Sequence, residues 1–177
     1  MQRVDLKTSD NINIAGDYYP AKKQNAPAVI LLHMMPATKE SWKNFAEKLN
    51  KNGFQCLAID LRGHGESGGD KNYQASVKDI EAAAAFFLYK GLTFGEGLTF
   101  VGASIGANLA LQFQSEHPEI KASVLLSPGL DYRGVQTEPA AKKITENQSV
   151  FLAAGGENDG YSAETAQKLL NMLKSKN

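Results

Sequence analysis

Short continuous apolar runs alternate along the chain with longer segments in which apolar residues recur every three or four positions. Continuous runs are typical of strands buried on both faces of a parallel sheet, and the spaced pattern is typical of amphipathic helices. The apolar runs are 28–32, 54–61, 98–101, 122–126 and 150–154, and the helical segments are 38–52, 73–90, 105–117, 138–145 and 162–176. Thr38 and Ser162 are the predicted N-caps of the first and the last of these helices. Two further segments, 2–8 and 11–19, surround a turn signal and predict a hairpin. This order predicts an α/β fold with a mostly parallel sheet covered by helices on both faces.

The pattern changes abruptly at a Gly-x-Ser-x-Gly sequence. An apolar strand pattern ends at Gly102, Ser104 occupies the turn, and helical spacing begins at Ile105. A turn this tight requires small neighbours, which Gly102 and Gly106 supply. It holds the hydroxyl clear of the sheet, and the following helix directs its N–H groups towards any charge that develops there. A glycine-rich strand–helix joint without chemistry has the same five residues, so the surrounding sequence has to decide.

A second glycine pattern, Gly63-x-Gly65-x-x-Gly68, follows a strand and formally matches the dinucleotide-binding fingerprint. In that motif the third glycine already lies in the helix whose N-terminus binds the pyrophosphate. Here residues 69–72 intervene before any helical pattern, and the segment is not the first strand–helix connection. A nicotinamide-dependent oxidoreductase therefore ranks last among the functions considered.

The length and the charge of the chain narrow the class of protein further. The chain has 177 residues, of which 42% are hydrophobic, and we expect one domain spanning 1–177. Its 19 basic and 19 acidic residues give no electrostatic reason to expect nucleic acid or a membrane as a partner. The first residues lack an apolar segment of signal-peptide length, and the single cysteine, Cys56, lies in an apolar run. We expect a cytoplasmic protein without disulfides.

Residues 60–67, Asp-Leu-Arg-Gly-His-Gly-Glu-Ser, and the Gly-x-Ser-x-Gly sequence after the next helix together resemble the α/β-hydrolase family. The resemblance implies a three-layer α/β-hydrolase fold without a cap domain, since only 127–137 follow the sixth strand before the next helix. It implies that Ser104 is the nucleophile and that the backbone N–H groups of Met35 and Ile105 form the oxyanion hole. Met34 stands where the family usually has glycine.

Two aspartates match positions at which the family places the acid that orients its catalytic histidine. Asp159 falls in a polar turn after the strand at 150–154, and Asp131 follows the strand at 122–126. The sequence Gly-Glu-Asn-Asp-Gly-Tyr-Ser, leading into a helix, resembles the usual acid turn and favours Asp159. Asp131 is the alternative acid, and a solvated turn aspartate is the interpretation without chemistry.

The family places the catalytic histidine after the acid, but no histidine follows Asp159. His33 ends a strand, His64 lies in the 60–67 loop, and His117 lies at the far end of the helix after Ser104. That helix separates His117 from Ser104 by on the order of 20 Å. Two interpretations follow: a hydrolase truncated at its C-terminus, which we favour, or a non-catalytic binding domain on the same scaffold.

The resemblance further implies one more strand after the last helix of the chain. Without it, the strand at 150–154 is the edge of the sheet. We expect this edge to pair with a second copy of the chain, to be shielded by the last helix, or to promote aggregation.

As a function, the resemblance implies a serine hydrolase of the carboxylesterase or dienelactone-hydrolase type. Such an enzyme cleaves carboxylic ester or thioester bonds of small molecules through an acyl-enzyme. No metal and no organic cofactor is implied. Because a triad histidine is missing, we expect these 177 residues to be impaired as a catalyst.

Overall fold

The computed structural model of the chain describes residues 1–23, 25–92, 97–156 and 158–174. The strands are β1 (Gln2–Lys7), β2 (Asn13–Tyr19), β3 (Ala28–Leu32), β4 (Gln55–Ile59), β5 (Leu98–Ala103), β6 (Ala122–Leu126), β7 (Asp131–Tyr132), β8 (Val135–Gln136) and β9 (Ser149–Ala153). The helices are α1 (Lys43–Lys51), which follows a 3-10 turn at Lys39–Trp42, α2 (Val77–Tyr89), α3 (Ile105–Glu116), α4 (Glu138–Lys143) and α5 (Gly160–Lys174).

Seven of these strands form one sheet in the order β1-β2-β4-β3-β5-β6-β9. The predicted hairpin forms, because β1 and β2 pair antiparallel, and β2 then pairs antiparallel with β4. From β4 to β9 all pairs are parallel. Every residue of β3 and β4 is buried, which explains why both are continuous apolar runs.

Helices cover both faces of the sheet, so the predicted three-layer α/β fold is confirmed. Alternate residues of β3 enter two separate cores, as the two-residue period of a strand requires. Val29 and Leu31 pack in a smaller cluster that includes Ala46 of α1. Ile30 and Leu32 pack in a larger cluster with residues of the other four helices.

Several predicted boundaries shift because local turns replace the ends of regular elements. Helix α2 begins at Val77 rather than at position 73, since the preceding residues form turns. Thr38 does not cap a helix with its side chain and instead bonds to Glu40. Ser162 is not the cap of the last helix but lies in its first turn, because α5 begins at Gly160. The loop predicted at 127–137 contains the small β7–β8 hairpin.

The two edges of the sheet differ in character. Edge strand β1 carries Arg3, Asp5 and Lys7 in alternation. The opposite edge is β9, as predicted, and its sequence Ser-Val-Phe-Leu-Ala has no charge, with Phe151 62% exposed. Among the helices that the structure describes, none combines the length and hydrophobicity needed to cross a membrane.

Candidate active site

Ser104 occupies the sharp turn between β5 and α3. Its φ is 53° and its ψ is −117°, a backbone conformation that a residue with a side chain rarely adopts. The turn is possible because Gly102 and Gly106 have no side chain, and neighbouring backbone atoms occupy the space that a Cβ atom would need. A Cβ atom at Gly106 would lie 2.3 Å from the Leu32 carbonyl oxygen, and one at Gly102 would lie 2.1 Å from that of Gly106. The Gly-x-Ser-x-Gly pattern is therefore required by packing at this turn.

The turn is tied to its neighbours by main-chain hydrogen bonds. The Ser104 N–H donates to the Leu126 carbonyl at 2.9 Å, which links the turn to the end of β6. The Ser104 carbonyl accepts the N–H groups of Ala107 and Asn108 and so starts α3. Ser104 thus stands at the positive end of the helix, where the first backbone N–H groups have no partner within the helix.

A pocket of about 450 Å³ opens at Ser104, and we call it the Ser104 pocket. It lies at the carboxyl ends of β3, β5 and β6, where β4 and β5 flank β3 and the strand order reverses. Ligands of open α/β sheets bind at this kind of position. Its walls are formed by Met34, Ser41, Trp42, Ala103, Ser104, Leu126, Ser127, Tyr132, Asp159 and Ser162.

Asp159 lies in the Ser104 pocket, on the turn before α5. Hydrogen bonds from Ser127, Ser162 and the Gly155 backbone hold the pKa of Asp159 below its ordinary value, so the carboxylate is ionised near neutral pH. The Asp159 carboxylate also accepts the backbone N–H of Ser162, and the backbone carbonyl of Asp159 accepts the N–H of Ala163. Asp159 is therefore the N-cap of α5, a structural role that the sequence prediction gave to Ser162.

Asp131, the alternative acid, lies elsewhere. Its two carboxylate oxygens accept the Gly134 N–H at 2.7 Å and the Gln136 side-chain amide at 3.2 Å. Both bonds close the β7–β8 hairpin, and Asp131 is not among the residues lining the Ser104 pocket. The structure thus brings Asp159, and not Asp131, to the same pocket as Ser104.

The two residues expected to supply the oxyanion hole lie on either side of the turn. Ile105 is the first residue of α3 and is fully buried. Met35 packs against the larger core cluster, while the preceding Met34 is 47% exposed and lines the Ser104 pocket. The Met34 carbonyl accepts the Ala37 N–H at 2.8 Å, which fixes the bend of this segment.

His33 is buried and uses both ring nitrogens within the fold. Its Nε2 accepts the Leu61 N–H at 3.0 Å, so Nδ1 carries the proton and donates to the Met34 carbonyl at 2.9 Å. Burial lowers the pKa of His33 and keeps the ring neutral. His33 therefore joins the ends of β3 and β4 and has no nitrogen left for Ser104.

The other two histidines are likewise engaged elsewhere. His64 is buried, with Nδ1 at 3.0 Å from the Arg62 carbonyl and Nε2 at 3.1 Å from the Tyr73 hydroxyl. His117 ends α3 at the pole opposite Ser104, stacked on Phe113. No histidine is among the described residues that line the Ser104 pocket.

An ion cluster around the buried Lys39 and Asp60 side chains lies beneath the 60–67 loop. The Lys39 ammonium donates to Asp60, Glu40 and Glu66 at 2.7–2.8 Å. These three carboxylates converge closely enough to hold a cation, and the ammonium already supplies one. Burial alone would lower the pKa of Lys39, but these bonds outweigh it and raise the pKa above its ordinary value. The cluster stabilises the loop.

The same packing explains the glycine pattern of the 60–67 loop. The Gly63 N–H donates to the Gly68 carbonyl, and a Cβ atom at Gly65 would lie 2.2 Å from the Asp60 carboxylate. The loop is folded onto Asp60 and does not open a helix. As expected, these glycines shape a loop.

The wall residues that could not be identified from the sequence include Ser127, Tyr132 and Trp42. Ser127 has φ 50° and directly follows β6. Because β5 and β6 are parallel neighbours, the residues that follow them, Ser104 and Ser127, lie at the same edge of the sheet. Tyr132 belongs to the β7–β8 hairpin, and its hydroxyl lies 3.3 Å from that of Ser162. Trp42 is 8% exposed, and its indole N–H has no hydrogen-bond acceptor among the described residues.

In this three-layer fold, a serine with strained backbone precedes a helix close to the point where the strand order of the sheet reverses. This arrangement is typical of one class of enzyme fold. Residues 27–176 match the family model described as the alpha/beta hydrolase fold. The chain belongs to this family of hydrolases.

Individual relatives are distant. The chain is 31% identical over 158 residues to a monoacylglycerol lipase, abhd6-B, of Xenopus laevis, which covers 86% of this chain and 44% of the lipase. It is also 31% identical to the uncharacterized protein RP471 of Rickettsia prowazekii, over 92% of this chain and 69% of that protein. Among solved structures, the Pyrococcus furiosus esterase Pf2001 superposes with a TM-score of 0.85 at 22% identity. That match covers 99% of this chain and 77% of the esterase, and it is a likeness of fold.

Proposed function

We propose that this chain carries the nucleophile, Ser104, of a serine hydrolase that cleaves carboxylic ester or thioester bonds of small molecules. The observation that carries the proposal is the backbone of Ser104, which is held at φ 53° in the wall of an open pocket. A strained residue in a pocket points to function, since folding alone favours glycine there. The named lipase among the relatives acts on an ester and supports the same chemistry.

In the proposed reaction, the Ser104 hydroxyl attacks the carbonyl carbon of the ester and loses its proton to a base. The backbone N–H groups of Ile105 and Met35 stabilise the oxyanion that forms. The bond to the alcohol or thiol then breaks, and the leaving group takes the proton. Water releases the acid from the acyl-serine in a second round of the same steps.

Asp159 is the acid of this proposal, and its partner is an imidazole from outside the 177 residues. The carboxylate is ionised and already accepts the hydroxyls of Ser127 and Ser162. An arriving imidazole N–H replaces one of these hydroxyls as donor. Without that base the serine hydroxyl is a poor nucleophile, and loss of the histidine lowers turnover by about a millionfold in subtilisin.

A second candidate function is binding without turnover, on the same scaffold. It is favoured by one observation: all three histidines are engaged in the fold, and none lines the Ser104 pocket within the described part of the chain. A binding domain has the same pocket but no reason to retain a strained serine.

Covalent labelling distinguishes these candidates. The chain is incubated with an alkyl fluorophosphonate, with and without free imidazole, and the adduct is located by peptide mass spectrometry. The proposal predicts slow labelling of Ser104 that imidazole accelerates, with none in Ser104→Ala. Ser127, the second strained serine of the pocket, is the internal control and is expected to stay unlabelled. Ser104 that remains unlabelled at every imidazole concentration indicates the binding domain.

We also propose that the β9 edge pairs with a second copy of the chain. The strand has no charged residue, and Phe151 is 62% exposed beside unpaired backbone groups. Charged side chains on an edge strand prevent such pairing, and β1 has three of them. Phe151→Lys is expected to convert a dimer into a monomer in light scattering, while Asp5→Lys, at an exposed position of β1, leaves the dimer intact. A wild-type monomer contradicts this proposal.

A further inference from the structure

A second pocket, of about 760 Å³, lies beside the Ser104 pocket. The two share neighbouring wall segments: Met34 and Tyr132 line the first, and Met35 and Arg133 line the second. The β7–β8 hairpin presents Tyr132, the last residue of β7, to one pocket and Arg133, the first residue of the turn, to the other. A molecule of moderate length therefore reaches both. We call the second cavity the Arg133 pocket.

The Arg133 pocket is positively charged. Arg133 and Lys71 contribute two cations to its wall, against one carboxylate, Asp70. Both residues are exposed, and within the described part of the chain neither cation forms an ion pair, whereas the buried cations Lys39 and Arg62 do. The Arg133 charge acts on Tyr73, whose pKa is raised by burial and lowered in part by this guanidinium. Tyr73 and His64 also line the pocket, and the Tyr73 hydroxyl lies 3.1 Å from His64 Nε2.

Arg133 is held in this wall at a cost to the backbone. Residues 133 and 134 are the two central residues of the hairpin turn, with φ values of 56° and 84°. Turns with positive φ at both positions favour Asn-Gly, because a longer side chain is strained there. Gly134 satisfies the rule and Arg133 breaks it. A strained arginine without an ion-pair partner, in a pocket wall, indicates a ligand that uses its charge.

The wall is also rigid enough to select a ligand. A Cβ atom at Gly134 would lie 2.2 Å from the side-chain nitrogen of Gln74, so the hairpin is packed against the 70–76 segment. The Asp131 carboxylate accepts the Gly134 N–H at 2.7 Å and fixes the turn. The backbone of Lys71 packs against Gly63, and this contact fixes the position of Lys71. Both cations therefore project from fixed backbone positions.

We propose that the Arg133 pocket binds a carboxylate at the end of the substrate distant from the scissile ester. The planar guanidinium of arginine matches the two oxygens of a carboxylate, and the Lys71 ammonium supplies a further charged donor. The substrate class is then the half-esters of dicarboxylic acids, or esters whose alcohol carries a carboxylate. This inference rests on the proposed function, since it treats the pocket as a subsite of Ser104.

Equilibrium binding tests the inference without requiring turnover. The Ser104→Ala protein is titrated by calorimetry with the monomethyl esters of succinic, glutaric, adipic and suberic acid, and with the dimethyl ester of each acid. The two members of a pair differ by the negative charge and by one methyl group. At least one monomethyl ester is expected to bind about tenfold or more tightly than its dimethyl ester, as a charge-assisted hydrogen bond predicts.

The decisive variant is Arg133→Asn, because asparagine is preferred at this turn position and the hairpin cannot be destabilised by it. We expect an equal or higher melting temperature and loss of the preference for the monoester. Lys51→Gln, which removes an exposed lysine of α1 remote from the pocket, is expected to preserve the preference. Equal affinity for monoester and diester, or a preference that survives Arg133→Asn, would overturn the assignment. Tighter binding of inorganic phosphate than of any monoester would also overturn it.

The outcome is separable from that of the proposed function. If Ser104 is labelled by the fluorophosphonate and the monoester shows no preference, only the carboxylate site fails. If the preference is present and Ser104 never reacts, the site remains as a ligand pocket and the hydrolase proposal fails.

Discussion

Two polar regions of this molecule lie side by side and are built in opposite ways. Beneath the 60–67 loop, a buried polar network joins Lys39, Asp60, Arg62 and Asp79, and each charge has a partner. In the Ser104 pocket, one carboxylate is held by two serine hydroxyls, and Ser104 itself sits on strained backbone. The first region has the higher density of charge, while the second has the strain and the open space.

The difference shows which signals locate chemistry in this fold. In the network, the charged groups are buried because they satisfy one another, and burial without a partner is what makes a charge costly. His33 and His64 belong to this satisfied region, although histidine is the residue type expected in an active site. In the walls of the two pockets, positive φ at Ser104, Ser127 and Arg133 places side chains where packing does not require them.

The largest expected effect breaks the network. Asp60 is fully buried and accepts three hydrogen bonds, two of them from Lys39 and one from the Glu66 N–H. Asp60→Asn removes the buried negative charge that pairs with the Lys39 ammonium. We expect the free energy of unfolding, measured with urea, to fall by about 3–5 kcal/mol. Glu66→Gln removes a carboxylate from the same ammonium, but its side chain is 57% exposed, and the cost is expected below about 1 kcal/mol. Equal costs contradict the comparison.

A smaller effect comes from closing the space behind the serine. Gly106→Ala places a methyl group 2.3 Å from the Leu32 carbonyl oxygen, so α3 has to shift. We expect a loss of about 1–3 kcal/mol in the free energy of unfolding, together with slower labelling of Ser104. Gly160→Ala at the start of α5 is the control, because nothing lies within 4 Å of a Cβ there. It is expected to be neutral or slightly stabilising.

The pH dependence of stability reports on His33. Burial lowers the pKa of His33 in the folded protein. The contribution of this group to the free energy of unfolding is therefore complete above the ordinary histidine pKa and is lost as the pH falls below about 6.5. Between about pH 6.5 and 5.5 the unfolding free energy is expected to fall by up to about 1.4 kcal/mol from this group. His33→Gln should remove that slope, whereas His117→Gln, at the half-exposed end of α3, should keep it. A slope unchanged in His33→Gln places the acid-labile group elsewhere.

The smallest effect measures the strain at the nucleophile. Ser104→Gly relieves the positive φ and is expected to stabilise the fold by about 1 kcal/mol. Ser104→Ala keeps a Cβ atom, so its stability should stay near that of the wild type. Thermal unfolding of the two variants gives the comparison directly. A glycine variant no more stable than the alanine variant would show that Ser104 is not strained.

What the sequence could predict followed from local rules. The Ser104 turn, the order of strands and helices, and the polar turn at Asp159 each depend on residues close together in the chain. The pocket walls did not: Tyr132 ends a two-residue strand and Arg133 lies in the turn that follows it, inside a segment predicted as a loop. Their direction depends on the hairpin turn and on contacts with Gln74, some sixty residues earlier in sequence. The cap of α5 moved from Ser162 to Asp159 because an acid turn and a helix start share the same residue types.

The central claim is that Ser104 is a nucleophile that lacks its base within these 177 residues. It is tested most directly by p-nitrophenyl acetate hydrolysis, comparing wild type with Ser104→Ala at increasing concentrations of free imidazole. We predict nearly equal rates without imidazole and a saturable increase in the wild type alone when imidazole is added. A normal esterase rate without imidazole, abolished by Ser104→Ala, would contradict the claim. The base would then come from His33, His64 or a neighbouring copy of the chain.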